Sequence, residues 1–295
     1  MGSVVDLAAF LGSHRRVLVL TGAGCSTASG IPDYRDEHGA WKRRQPITLE
    51  ELLGSDLVRR RYWARSLHGW QHMGAVRPNA AHHALAALER RGSVSLLVTQ
   101  NVDGLHQRAG SREVLDLHGN LGEVLCLKCD YATSREEHQI TLAALNPEFL
   151  ELSGRVAPDG DMDLDGASYD TFRVPGCPAC GGVLKPGVVF FGESVPKARV
   201  ERAYAALESS DALLVVGSSL MVFSGYRFAH RAARRGVPIA ILNRGRTRGD
   251  ALASLKVEAE IGEALGAAVS TLGAEEPLGV ESGHVRGRSG GPVGR

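Results

Sequence analysis

The sequence predicts an α/β fold, a doubly wound Rossmann-like parallel sheet with a smaller inserted domain. Three observations lead there. Four short apolar runs, Val17–Leu20, Val94–Thr99, Ala212–Val216 and 238–242, are continuous rather than alternating, as in strands buried on both faces. Helical stretches lie between them, as in a sheet wound on both sides. Each run also ends in glycine or small polar residues, at the position where open parallel sheets bind ligands.

In chain order, the first run leads into Gly22-Ala23-Gly24. The stretch 80–91 reads as a helix feeding the second run, which ends in Gln100-Asn101-Val102-Asp103. A second helix, over 200–209, presents Val200, Ala203, Tyr204 and Leu207 on one face. The third run ends in Gly217-Ser218-Ser219 and the fourth in Asn243. Gly, Asn and Asp also serve as plain turn and cap residues, which accounts for any one end but poorly for four together. The set reads as a nucleotide-type crevice. Residues 38–75 are charged and helical, with Trp41, Tyr62, Trp63 and Trp70, and residues 126–182 are loop-like. We assign 1–37, 76–125 and 183–272 to the Rossmann-like domain and 38–75 with 126–182 to the small domain. The tail, 273–295, is rich in Gly, Arg and Ser, poor in large apolar residues, and reads as disordered.

The composition narrows the function classes. With 34 Lys plus Arg against 33 Asp plus Glu, the 295-residue chain has a net charge of +1, which disfavours bulk electrostatic binding to nucleic acid or membrane. An aromatic share of 5% disfavours a stacking platform for single strands. No apolar run is long enough to span a bilayer. Asp6 and the pair Arg15-Arg16 interrupt any secretory core, so a cytoplasmic location is expected.

Cys126 with Cys129, and Cys177 with Cys180, are two pairs each separated by two residues; Cys25 stands apart. Two such pairs in a reducing compartment suit a tetrahedral structural Zn²⁺. A redox dithiol competes, but it uses one pair and leaves the other idle. The inserted domain thus reads as a zinc-binding and helical unit. Asp161, Asp163 and Asp165 with Gly166 imitate the start of a calcium loop, but Phe172 stands where a bidentate Glu is needed.

Gly22 to Gly24 lacks the third glycine of a dinucleotide fingerprint, since Thr27 takes its place. The longer string, from Gly22 through Cys25, Ser26 and Gly30 to Asp33-Tyr34-Arg35, is more specific. Its small residues let backbone N–H groups approach a pyrophosphate. It resembles the signature of the sirtuins, the NAD-dependent protein deacylases. Gln100-Asn101-Val102-Asp103, Leu117-His118-Gly119, Gly217-Ser218-Ser219-Leu220 and Asn243 resemble further motifs of that family, over about residues 10–270. Tyr62-Trp63-Ala64-Arg65, Pro158-Asp159-Gly160-Asp161 and Ser224-Gly225-Tyr226-Arg227-Phe228 are most similar to the class II branch, which includes a mitochondrial lipoamidase-deacylase.

The resemblance implies NAD as consumed co-substrate, one zinc on the four paired cysteines, and acylated protein lysines as partners. No oligomeric state follows. It makes His118 and Asn101 catalytic. It places Gln100 on a ribose hydroxyl, Asp103 on the nicotinamide carboxamide, Ser218 and Asn243 on the phosphate and adenosine ribose, and Arg35 in the loop that closes over the dinucleotide. Gly22, Ala23, Gly24, Ser26, Gly30, Asp33, Tyr34, Val102, Gly217, Ser219, Arg244, Gly245 and Ile261 complete the implied cofactor set. An unperturbed imidazole titrates near neutral pH, so His118 suits a general base; as a residue alone it reads equally as a core or cap histidine. Val188, Val189, Phe190 and Gly192 fall in a segment similar to the one that pairs with substrate backbone, or they form a plain buried strand. Tyr62 and Arg65 share a helix face, which suits an acidic acyl group or a surface cation over a ring. Cys25 reads as a small apolar residue. Mono-ADP-ribosyl transfer shares the first bond cleavage and stays open as an alternative, and more remotely a zinc-ribbon module for nucleic acid.

Overall fold

The structure is a computed structural model and describes residues 2–42, 45–152, 154–156, 161–164 and 168–274. Pro158, Asp159, Gly160, Asp165, Gly166 and the tail beyond 274 lie outside them. From the N-terminus run α1 (Val4–Ser13), β1 (Val17–Thr21), α2 (Leu49–Gly54), α3 (Asp56–Ala75), α4 (Ala80–Arg90), β2 (Val94–Thr99), α5 (Leu105–Arg108) and β3 (Val114–Asp116). Then come β4 (Gly119–Cys126), β5 (Ala132–Ser134), α6 (Arg135–Leu145), β6 (Gly154–Val156), β7 (Met162–Leu164) and β8 (Leu184–Val188). The chain continues through α7 (Lys197–Glu208), β9 (Ala212–Val216), α8 (Phe223–Arg234), β10 (Ile239–Leu242), β11 (Leu255–Val257) and α9 (Ile261–Ala274).

The main sheet has the order β11-β10-β9-β1-β2-β3 and is parallel throughout. Strand order therefore reverses between β1 and β9, which opens a crevice at their carboxyl ends. Continuous apolar strands make this possible. Val17, Val19, Leu214 and Leu242 pack on one face with Leu7, Leu85 and Leu265 from α1, α4 and α9. Leu18, Leu20, Val215 and Ile241 pack on the other with Leu207 and Phe228 from α7 and α8. The sequence reading found the four central strands and missed the edges β3 and β11. Those are three residues long and half-buried in part, so they carry too little apolar signal.

A three-stranded sheet, β5-β4-β8, joins this body to the cysteine segment. Its register depends on Gly119, at φ +83°, where a Cβ would overlap the Gly187 carbonyl oxygen. The His118 carbonyl accepts the Val189 N–H at 2.7 Å on the same seam. Gly119→Ala is expected to destabilise the chain by about 3 kcal/mol or more, since both a left-handed backbone and a backbone clash oppose it. Urea unfolding measures this, and a loss under 1 kcal/mol contradicts it.

Three buried histidines set a pH limit on stability. Burial pushes His82 and His138 down to about 4 and His106 to about 3. All three stay neutral when folded but titrate near 6.5 when unfolded. As pH falls below 6.5 the unfolded chain binds more protons, so stability present above that pH is lost toward pH 4. Each unit of depression is worth about 1.4 kcal/mol. Urea midpoints are expected to fall clearly between pH 7 and pH 5, above the carboxylate range; a flat profile there contradicts this.

Candidate active site

The carboxyl ends of β1, β2, β9 and β10 open into one cleft of about 1440 Å³. Two loops meet at its floor. A Cβ on Gly22 would lie 2.8 Å from the Ser218 Cβ, and one on Gly24 2.9 Å from the Gly217 carbonyl oxygen. The Gly24 N–H donates to that carbonyl at 2.8 Å, and the Cys25 N–H to Gly22 O at 2.9 Å. Glycine at 22 and 24 is thus required by close packing of β1 and β9 loops, and these two amides are used within the protein. Leu220, at φ +57°, is the one non-glycine residue with positive φ among the described residues, and it lines the cleft. Such strain costs on the order of 1–2 kcal/mol and gathers at functional sites.

Beyond β2, Asn101 and Asp103 converge on one hydroxyl. Asn101 Nδ2 donates to Ser26 Oγ at 3.0 Å and to Gly22 O at 3.1 Å, and Ser26 Oγ donates to Asp103 Oδ2 at 2.7 Å. β2 ends at Thr99, so strand alternation does not align these two residues, and Ser26 brings them together. Burial raises the Asp103 carboxyl, with the Leu105 N–H and Ser26 hydroxyl acting against it. Gln100 reaches the other way, its Oε1 accepting the Ser218 hydroxyl at 2.6 Å.

His118 lies in the cleft wall between these groups and β8. Its Nδ1 is 2.9 Å from the Gln100 carbonyl oxygen, which can only accept. The proton therefore sits on Nδ1, and Nε2 keeps its lone pair toward Ser224 Oγ at 2.8 Å. Burial lowers the His118 pKa, the Gln100 carbonyl opposes this, and the Arg199 and Arg227 charges add to the lowering. At neutral pH the ring is a neutral base whose Nε2 lone pair faces the Ser224 hydroxyl.

Almost all the expected residues line this cleft. Gly22, Ala23, Gly24, Ser26, Gly30, Asp33, Tyr34, Arg35, Val102, Gly217, Ser219, Asn243, Arg244 and Ile261 do so on the crevice side. Tyr62, Val188, Val189, Phe190 and Gly192 do so on the other. Gly245 lies outside it, under the 33–42 loop, where a Cβ would meet the Glu37 carbonyl oxygen at 2.5 Å. Arg65 is also outside; its Nε donates to the Met162 carbonyl on β7 at 3.2 Å. The loop over the cleft is braced internally. The Arg35 guanidinium lies 3.9 Å above the Trp41 ring and donates to Gly39 O at 2.7 Å, while Trp41 packs edge-on against Phe191 at 5.7 Å. Cys25 is buried, and desolvation raises its thiol far above the reactive range, in line with an apolar role.

Cys25, His82 and His106 form a buried cluster behind the cleft, their donor atoms within 4.8 Å of one another. His82 Nδ1 accepts the Asn79 N–H at 3.3 Å, so its Nε2 is protonated and cannot ligate a metal without breaking this helix cap. The paired cysteines differ. Their four Sγ atoms also lie within 4.8 Å, with Cys126 to Cys180 at 3.6 Å and Cys129 to Cys177 at 3.7 Å. Tetrahedral zinc with bonds of about 2.3 Å places sulfurs about 3.8 Å apart. Disulfides are far shorter. The Lys128 N–H, at 3.3 Å, is the main cause lowering the Cys126 thiol to about 6. Gly182 leaves room for the knuckle, since a Cβ there would lie 3.0 Å from Cys126 Sγ. The donor set fits a structural Zn²⁺ and lies outside the cleft lining.

The sequence profile described as the Sir2 family matches residues 22–224. The chain belongs to the Sir2 family. A Bordetella bronchiseptica protein named NAD-dependent protein deacetylase is 59% identical over 270 residues, covering 92% of this chain and 98% of the relative. The Drosophila melanogaster NAD-dependent protein deacylase Sirt4 is 49% identical over 259 residues, covering 87% and 83%. Among solved structures, a Sir2 with p53 peptide and NAD⁺ superimposes with a TM-score of 0.75 at 28% identity, covering 93% of this chain and 100% of that one. Among the described residues no helix is long and apolar enough to cross a membrane.

Ser224, the cleft residue that faces His118 Nε2, was passed over by sequence reasoning. It appears there only within a branch motif, because 106 residues separate it from His118 and no local pattern links them.

Proposed function

We propose that this sirtuin is an NAD-dependent protein lysine deacylase, transferring the acyl group from lysine to ADP-ribose and releasing nicotinamide and O-acyl-ADP-ribose. The observation that carries this is the His118 ring, fixed as an Nδ1–H tautomer by the Gln100 carbonyl and lining the same cleft as the Asn101–Ser26–Asp103 network. NAD supplies the glycosidic bond whose cleavage exposes a ribose carbon to the acyl oxygen. The chain's own groups do the rest. Asn101 and Asp103, locked through Ser26, present an amide and a carboxyl at the reacting end, and Ser218, Asn243 and Arg244 lie toward the adenosine end. His118 Nε2 takes the proton of a ribose hydroxyl so that the acyl group moves to the sugar. Val188 to Gly192 offer an edge for an extended acylated peptide.

The small domain, 38–75 with 126–182, is proposed to cover this cleft, with zinc holding its cysteine segment. A cytoplasmic location is proposed from the cysteine usage and the bacterial relatives. Incubation with NAD and a panel of acylated peptides, read by mass spectrometry, tests the reaction. O-acyl-ADP-ribose is expected. ADP-ribose retained on protein, with no deacylated peptide, would favour mono-ADP-ribosyl transfer and overturn the reading.

A further inference from the structure

We infer that Ser224 is a positioning residue that serves His118 in both protonation states. This inference rests on the proposed reaction. Ser224 stands in the first turn of α8 and lines the cleft, its Oγ 2.8 Å from His118 Nε2. The opposite ring nitrogen is committed to the Gln100 carbonyl. Nε2 has one lone pair, so in the resting site the hydroxyl must be the donor. When the ribose hydroxyl displaces the serine proton from that lone pair and gives up its own proton to Nε2, the same nitrogen becomes a donor. The serine oxygen can then accept by rotating its proton away, a reversal open to hydroxyls and closed to apolar side chains.

The second bond is charge-assisted and stronger than the first. Ser224 therefore favours the imidazolium more than the neutral ring. The other charges facing the ring are Arg199 from α7 and Arg227 from α8, and both oppose protonation. Gln100 O, at the end of β2, is the group that favours it from the far side. Ser224 adds a second acceptor on the side where the proton arrives.

Ser224→Ala is expected to lower kcat for acyl transfer about tenfold, with KM for NAD and acyl peptide changed less than twofold. Exchange of labelled nicotinamide, which precedes the proton transfer, stays within twofold of the parent. The His118 pKa, followed by NMR titration of the ring, moves further down by about half a unit or more, and Ser224→Thr restores both kcat and pKa. An unchanged His118 pKa in a folded Ser224→Ala chain overturns the inference. So does a loss of kcat that threonine fails to restore. The titration needs no turnover. If the unsubstituted chain deacylates nothing, the functional reading fails, while the titration still decides the Ser224–His118 link.

Discussion

Replacing His118 with alanine is expected to cut acyl transfer at least about a hundredfold, the low end of what a positioned general base contributes. The fold should survive, because the ring is half-buried in the cleft wall and among the described residues bonds Gln100 O and Ser224 Oγ. NAD binding and nicotinamide exchange should also persist, since the proton is taken after the glycosidic bond opens. Calorimetry with NAD and an exchange assay separate these steps. Full deacylation by His118→Ala would remove the mechanism. The same ring predicts the pH profile. Its pKa is held below the usual imidazole value by burial and by Arg199 and Arg227. The base form is present above the folded pKa, so activity should hold to below pH 6.5 before its acid limb falls. Loss of activity already at pH 7 would contradict this assignment of base and tautomer.

Cys126→Ala is expected to release zinc and unfold the cysteine segment. Structural zinc in small modules contributes on the order of 10 kcal/mol, comparable with the whole stability of a typical domain. Cys126 is the last residue of β4, the strand that begins at Gly119 directly after His118, so the damage should reach the cleft. Metal analysis should show one zinc per parent chain and none in the variant, with a lower or split melting transition. A variant that keeps its metal and its melting curve would falsify the tetrathiolate site. Strong chelators should reproduce the unfolding on the parent chain, an effect on the fold rather than on the reacting groups, because the cysteines do not line the cleft.

Much of this was legible in the chain itself. Continuous apolar runs announced β1, β2, β9 and β10, because strands buried on both faces leave no polar alternation. Cysteine spacing announced the zinc knuckles, since two intervening residues suffice to bring thiolates to one ion. Nearly every cofactor, catalytic and substrate residue that the motif strings singled out lines the cleft. Their pairwise geometry was not legible. Asn101 and Asp103 meet through Ser26, and Arg65 donates to the Met162 carbonyl on β7, partners that local spacing does not name.

What the sequence determined alone is whatever depends on neighbours along the chain: strand burial, cysteine pairs and the identity of the groups at each strand end. What only the tertiary structure decided is how those ends face one another. The glycines at 22, 24 and 119 answer to Gly217, Ser218 and Gly187, and His118 owes its tautomer to Gln100 and its second partner to Ser224. A hydrogen bond or a steric contact of that kind acts over about 3 Å in space, while its partners lie far apart in the chain, so no local pattern records it.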